Sequence, residues 1–339
     1  MYRVVRSLLF RLDPEIAHSY TLRAVQCAGS SLLTRFLLQK IYQAPARPVQ
    51  VFGLKFNNPV GLAAGYDKDG VGWRGLACLG FGHIEVGTVT LKPQPGNPKP
   101  RIFRLPADRA VINRMGFPGE GAKVVARHLA HPRPEGLILG VNLGKNKDTP
   151  LDEAVKDYTA LVNIFAPLAD YLAINVSSPN TVGLRRLQAR DLLETLLGEL
   201  QQERHLQEQK LGKKVPLLVK LAPDLSDEEL GDALMAILGA GMDGVIATNT
   251  TVGRDRVQSS QATETGGLSG APLTIRSRTM VGKIIQRSEN RIPVIGVGGI
   301  MTPDDARAMF DVGASLVQLY TGLIYAGPGL VRKTIKEIP

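Results

Sequence analysis

The chain reads as an α/β protein, a (β/α)8 TIM barrel with a small N-terminal helical extension, on three observations. Eight short apolar runs alternate with helical stretches from residue 60 onward; every run ends in a polar residue or glycine; and residues 1–44 carry helical periodicity with no strand signal. At 339 residues the chain has room for one barrel of about 250 residues plus an appendage.

In the first segment Val4, Val5, Leu8, Leu9 and Leu12 draw one apolar stripe, with Arg3, Arg6 and Arg11 away from it. Asp13 and Pro14 suit an N-cap and a first helical position, so a second helix starts there with Ile16, Ala17, Tyr20 and Ala24 on one face. Gly29-Ser30-Ser31 is expected to break it, before a third stripe of Leu32, Leu33, Phe36, Leu37 and Ile41. Arg35 interrupts the apolar stretch well short of the ~20 residues that cross a bilayer, and no secretory signal pattern is present. Two readings of these stripes stand side by side: packing against the main domain, or an interfacial anchor lying on a membrane.

Charge bears on that choice. Arg3, Arg6, Arg11, Arg23, Arg35, Lys40 and Arg47 face only Asp13 and Glu15, so residues 1–47 hold half of the formal net charge of +10. A basic, apolar terminus points to an anionic membrane surface, whereas basic residues interleaved with aromatics would have pointed to nucleic acid. Cys27 and Cys78 are the only cysteines, too few for an iron–sulfur cluster and without zinc spacing; two buried thiols in a reducing compartment are expected. His128 and His131 stand in a proline-flanked polar connection with no further ligands, and no metal is expected.

Ala44 to Pro48 is the linker, dividing residues 1–44 from a catalytic domain of residues 45–339. The eight runs follow: Val60 to Ala64, Ile84 to Gly87, Leu137 to Leu143, Tyr171 to Val176, Leu217 to Leu221, Gly244 to Thr248, Pro293 to Val297 and Leu316 to Tyr320. Helix starts between them are marked by the capping box Ser226 to Glu229 and by Thr302-Pro303-Asp304-Asp305, and Gly212 should stop the long polar helix ending at Leu211.

A barrel assembles its site at the carboxyl ends of its strands. After the first run come Gly65-Tyr66-Asp67-Lys68, after the second Thr88, and near the end of the third Asn142; Asn175 and Ser178 follow the fourth. The fifth carries Lys220, the sixth Thr248-Asn249-Thr250, the seventh Gly298-Gly299 and the eighth Tyr320-Thr321-Gly322. The seventh and eighth endings suit a phosphate held by backbone N–H groups, and neither a dinucleotide fingerprint nor a P-loop is present, so a mononucleotide such as FMN fits. A buried Lys220 needs a negative partner, either the N1–C2=O edge of a reduced flavin or a structural carboxylate. Asn113, Asn175, Asn180 and Asn249 offer paired donors and acceptors complementary to a cyclic ureide or imide, and Lys68 suits a substrate carboxylate.

With these residues in place the chain resembles the dihydroorotate dehydrogenases of class 2, the membrane-associated, quinone-dependent branch. The resemblance rests on Ala63 to Gly70 (AAGYDKDG), Glu85 to Thr88 (EVGT), Gln94 to Asn97 (QPGN) with Pro100-Arg101, Asn113 to Phe117 (NRMGF), Asn142 to Lys147 (NLGKNK) and Asn175 to Thr181 (NVSSPNT). Val219-Lys220, Thr248 to Thr251 (TNTT), Thr265 to Gly270 (TGGLSG) and Gly296 to Ile300 (GVGGI) complete it. It implies oxidation of dihydroorotate to orotate in pyrimidine synthesis, with FMN bound and a membrane quinone as electron acceptor. Ser178 falls at the position of the catalytic base, where soluble class 1 enzymes carry cysteine. It would take the C5 proton while hydride leaves C6.

By the same resemblance Lys68, Asn113, Arg114, Met115, Gly116, Phe117, Asn175, Asn180, Asn249 and Thr250 would hold substrate. Ala64, Gly65, Tyr66, Asp67, Lys68, Thr88, Asn142, Asn175, Lys220, Thr248, Gly270, Gly299, Tyr320 and Thr321 would hold FMN, and His18 and Arg104 would lie near a quinone tunnel formed by the N-terminal helices. It further implies a monomer peripheral to the cytoplasmic face of a bacterial inner membrane. Two other readings are another FMN-dependent barrel oxidoreductase, such as a 2-hydroxy acid oxidase, and a non-enzymatic peripheral membrane module. The first would want a histidine at a strand end, where this chain has none; the second would favour loss of Ser178 or Lys220, and both are present.

Overall fold

The computed structural model describes residues 2–338. Three helices open the chain: α1 (Tyr2–Leu9), α2 (Pro14–Ser30) and α3 (Leu32–Tyr42). A hairpin of β1 (Val49–Val51) and β2 (Leu54–Phe56) leads into β3 (Val60–Leu62), the short α4 (Trp73–Ala77) and β4 (His83–Val89). After β5 (Ile102–Leu105) and β6 (Ala110–Asn113) come α5 (Ala122–Leu129), β7 (Ile138–Leu143), α6 (Ala154–Phe165), β8 (Tyr171–Asn175) and α7 (Arg190–Leu211). The chain continues through β9 (Leu217–Leu221), α8 (Asp227–Gly239), β10 (Gly244–Ala247), β11 (Gly267–Gly270), α9 (Thr274–Arg287), β12 (Val294–Val297), α10 (Pro303–Asp311), β13 (Leu316–Leu319), α11 (Thr321–Ala326) and α12 (Gly329–Glu337).

All eight predicted runs form barrel strands. They close in the order β3-β4-β7-β8-β9-β10-β12-β13, parallel throughout. Enclosed on both faces, such strands read as unbroken apolar runs. The predicted stops and caps are in place: Gly212 ends α7 at φ 64°, and both capping boxes are complete.

Five strands lie outside the barrel and were not anticipated. The β1–β2 hairpin turns through Phe52 and Gly53, at φ 57° and 77°, and Phe56 and Val51 plug the barrel floor against Tyr171, Leu218 and Ile246. A three-stranded antiparallel sheet, β5-β6-β11, stands beside the mouth. Inside the barrel, Gly61 and Gly140 make room for rings: a Cβ on Gly61 would sit 2.1 Å from His83 Nε2, and one on Gly140 2.1 Å from Tyr171 Cζ.

The N-terminal helices begin and end where expected and differ from expectation at Cys27. The break falls within Gly29-Ser30-Ser31 as expected, with Gly29 itself packed inside α2, where an added Cβ would lie 2.5 Å from Gly75 N of α4, while one on Gly75 would lie 2.0 Å from Val25 O. The chain leaves the helix at Ser31, in extended conformation. Cys27, expected buried, is exposed, because two residues from Gly29 places it on the far side of the helix from α4. Of the two arrangements left open for the apolar stripes, those of α1 and α3 lie largely outward, with Val4 67% exposed, Leu32 78% and Leu33 67%, whereas Ala17 of α2 is buried. α1 instead docks by its other face, with the Tyr2 hydroxyl donating to Ile324 O (2.6 Å) and Arg6 to Tyr325 O (2.9 Å) of α11. Among the described residues no helix is long and apolar enough to cross a membrane.

Candidate active site

A single cavity of about 670 Å³ runs from the strand ends to the gap between α1 and α2. Ala64, Gly65, Tyr66, Lys68, Thr88, Asn113, Met115, Gly116, Phe117, Asn175, Ser178, Asn180, Lys220, Thr248, Asn249, Thr250, Gly270, Gly299, Tyr320 and Thr321 line its barrel end, and His18 and Arg104 its helical end.

Three predicted residues do not line it. Asp67 is buried, and its carboxylate accepts from Val71 N (2.9 Å) and Gly72 N (2.8 Å), shaping its own loop; burial pushes its pKa up to about 6. Arg114 turns outward to pair with Glu264 at 2.6 Å, over the Phe103 ring. Asn142 sits one layer below, accepting from the Thr88 hydroxyl (2.5 Å) and Asn175 Nδ2 (3.1 Å).

The four asparagines converge. Asn180 Nδ2 donates to Asn113 Oδ1 (3.0 Å), and Asn249 Nδ2 donates to Asn175 Oδ1 (3.2 Å) and Ser177 Oγ (3.0 Å). Asn97, not anticipated as a site residue, supports them from behind by donating to the carbonyls of Arg114 (3.0 Å) and Asn180 (3.1 Å). Lys68 is half-buried and donates to Gly65 O at 2.5 Å; burial pulls its pKa down to about 8.

Ser178 is buried on the loop after β8, its Oγ accepting from Asn180 N at 3.3 Å. Among the described residues no histidine or carboxylate is hydrogen-bonded to it. The Thr181 hydroxyl, three residues on, is buried without a protein partner. Arg185, also unanticipated, staples this loop: its guanidinium donates to Ser177 O (3.0 Å), Thr250 O (2.9 Å) and Asp224 Oδ2 (2.8 Å).

At the opposite wall Gly298 and Gly299 lie at φ 112° and 71°, and a Cβ on Gly299 would meet Thr274 Cα at 2.2 Å. Gly322 lets the start of α11 press on Ile300 O, where a Cβ would lie 2.2 Å away. Both glycine-bearing endings line the cavity. Lys220 Nζ lies 3.5 Å from Glu85 Oε1, a structural carboxylate of the kind anticipated, and also lines the cavity.

At the helical end, His18 packs edge-on against Tyr66 (ring centroids 5.1 Å apart) and Tyr66 against Tyr320 (5.9 Å). Burial, reinforced by Lys68, pulls the His18 pKa down to about 4, so it is neutral near pH 7. Arg104 donates to Leu9 O (2.9 Å) and Leu12 O, closing the end of α1 over the cavity. Arg101, buried, grips Glu15 of α2 with two bonds (2.7 and 3.2 Å) while donating to Pro95 O and Asn97 O, which ties the extension to the loop that carries Asn97. Among the described residues no cluster could hold a metal ion.

Comparison with known proteins agrees with this geometry. Residues 47–339 match the family model described as dihydroorotate dehydrogenase. Relatives named dihydroorotate dehydrogenase (quinone) include one from Roseiflexus sp. (strain RS-1), 50% identical over 98% of this chain and 91% of its own. Another, from Alkalilimnicola ehrlichii, is 48% identical over 100% of this chain and 99% of its own. The crystal structure of the Eimeria tenella DHODH in complex with ferulenol superposes with a TM-score of 0.84 at 40% identity, covering 96% of this chain and 90% of that one. The chain belongs to the dihydroorotate dehydrogenase family, in its quinone-dependent class 2 branch.

Proposed function

We propose that the chain oxidises dihydroorotate to orotate and passes the electrons to a membrane quinone, with FMN as its resident cofactor, in pyrimidine synthesis. The observation that carries this reading is the single cavity joining the asparagine cluster and Ser178 to the space between α1 and α2. A soluble ring and a lipid-soluble one need such separate approaches.

The residues present fit FMN. Gly298 and Gly299 after β12 and Thr321 and Gly322 after β13 line the cavity where backbone N–H groups would hold a phosphate, and Lys220, Thr248 and Thr88 supply polar contacts along the wall. FMN bound there supplies the two-electron carrier between the two substrates. The chain's own groups do the rest. Lys68 takes the substrate carboxylate, and Asn113, Asn175, Asn180 and Asn249 hold the ring by its amide edges. Ser178 removes the C5 proton; a serine is a weak base, so placement by the Arg185 staple and exclusion of water from the closed loop carry much of the effect.

Residues 1–44 form the quinone- and membrane-facing unit and residues 45–339 the catalytic barrel. His18, Arg104 and Tyr66 border the quinone path. Outward apolar side chains beside Arg3, Arg11, Arg23 and Lys40 suit peripheral docking, as a monomer, on the anionic cytoplasmic face of the inner membrane.

The test is Ser178→Ala under anaerobic mixing with dihydroorotate. The yellow FMN spectrum should persist while bleaching slows by about 10²–10⁴-fold, the usual range for a positioned base. Equal bleaching rates in variant and wild type would remove Ser178 from the mechanism. Reoxidation by fumarate in place of quinone would overturn the class.

A further inference from the structure

Beneath the cavity floor lies a charged residue to which the reaction assigns no task. Glu85 of β4 is fully enclosed, and its two oxygens take four donors from four other strands. Asn142 Nδ2 (2.8 Å) and Lys220 Nζ (3.5 Å) reach Oε1, while Gln318 Nε2 (2.9 Å) and the Tyr171 hydroxyl (3.1 Å) reach Oε2. An ionised carboxylate is acceptor-only, with room for about four donors. Four donors aimed at it, two to each oxygen, describe the anion.

Two of those donors, Lys220 and Gln318, themselves line the cavity. The charge of Glu85 is therefore one side chain away from whatever occupies that end. Two-electron reduction places negative charge on a flavin ring. A lysine beside the ring favours that change and a carboxylate behind the lysine opposes it. With both present the site is close to neutral; with Glu85 uncharged the lysine acts unopposed.

We propose that Glu85 is a positioning residue that sets how readily the bound flavin takes electrons, by holding Lys220 and Asn142 in place and cancelling the lysine's charge. This rests on the FMN reading above. The need for such a balance follows from the two half-reactions: a site that stabilises reduced flavin too strongly speeds oxidation of dihydroorotate and starves the quinone of electrons.

The experiment titrates Glu85→Gln holoenzyme against a reference redox dye. The reduction equilibrium should move at least tenfold toward reduced flavin, about 30 mV for a two-electron couple, while Glu85→Asp stays within threefold of wild type. An unmoved equilibrium in an E85Q protein that holds FMN overturns the proposal. If E85Q fails to fold, the double variant E85Q/K220M decides: recovery of the circular dichroism spectrum and thermal midpoint shows that an uncompensated lysine was the fault, whereas no recovery makes Glu85 a structural hub only and overturns the proposal. A wild-type protein that takes up no flavin would fail the functional reading before any variant is made, and this inference with it.

Discussion

At the scale of single residues, Lys68 carries the sharpest pH signature. Burial holds its pKa at about 8, against an ordinary lysine near 10.5. The ammonium proposed to meet the substrate carboxylate is present below about pH 7 and is lost as pH rises through 8. KM for dihydroorotate should be flat from pH 6.5 to 7.5 and then rise about tenfold per unit as the free enzyme passes pH 8. A KM flat to pH 9.5 would rule out Lys68 as the carboxylate's partner. Most mouth residues were legible in the sequence because each stands at the end of an apolar run, where the strand leaves the core. Asp67, Arg114 and Asn142 show the limit of that rule: adjacency in a motif does not say which way a side chain turns, and each is claimed by a closer partner. Arg185 and Asn97 could not be found that way, since their work is done through backbone carbonyls distant in sequence.

At the scale of elements, α3 offers a clean separation of surface from core. None of its residues is buried. Replacing Leu32, Leu33 and Phe36 together by serine should leave the thermal midpoint nearly unchanged, since exposed substitutions usually cost within about 0.5 kcal/mol each. Co-sedimentation with anionic phospholipid vesicles should be lost; retained binding would return α3 to a purely structural role. The outward direction of these stripes was not legible, because periodicity locates an apolar face without saying what covers it. The β1–β2 hairpin was missed for a local reason: its turn uses Phe52 at positive φ, a position where asparagine or aspartate normally gives the signal. The strands β5, β6 and β11 span four residues each, too short for alternation to register.

At the scale of the whole molecule, the barrel interior is a polar layer inside an apolar wall. Glu85, Tyr171, Gln318 and Lys220 come from strands far apart in sequence, and only the closed register brings them together. His83 lies deeper, wholly buried with neither ring nitrogen partnered, and burial lowers its pKa to about 3. The unfolded chain, with histidine near 6.5, therefore binds a proton that the folded chain refuses. The resulting stability is complete above pH 6.5 and falls as pH drops toward 3, at about 1.4 kcal/mol per unit for this group. Asp67, with its raised pKa, works in the opposite sense. The measurement is thus a difference: in His83→Leu the thermal midpoint should fall less than in wild type between pH 6.5 and 4.5, and identical slopes would absolve His83.

The contact between Gly29 and Gly75 reaches beyond packing. A carbon added to Gly29 would strike the backbone of Gly75, and one added to Gly75 would strike Val25 O one turn earlier in α2, so a side chain at either site would prise α2 from α4. Since α2 also carries His18, which lines the cavity, and Glu15, a methyl group at either glycine would shift the helical wall of the proposed quinone path. Two residues with no side chain thus set how closely α2 lies on α4.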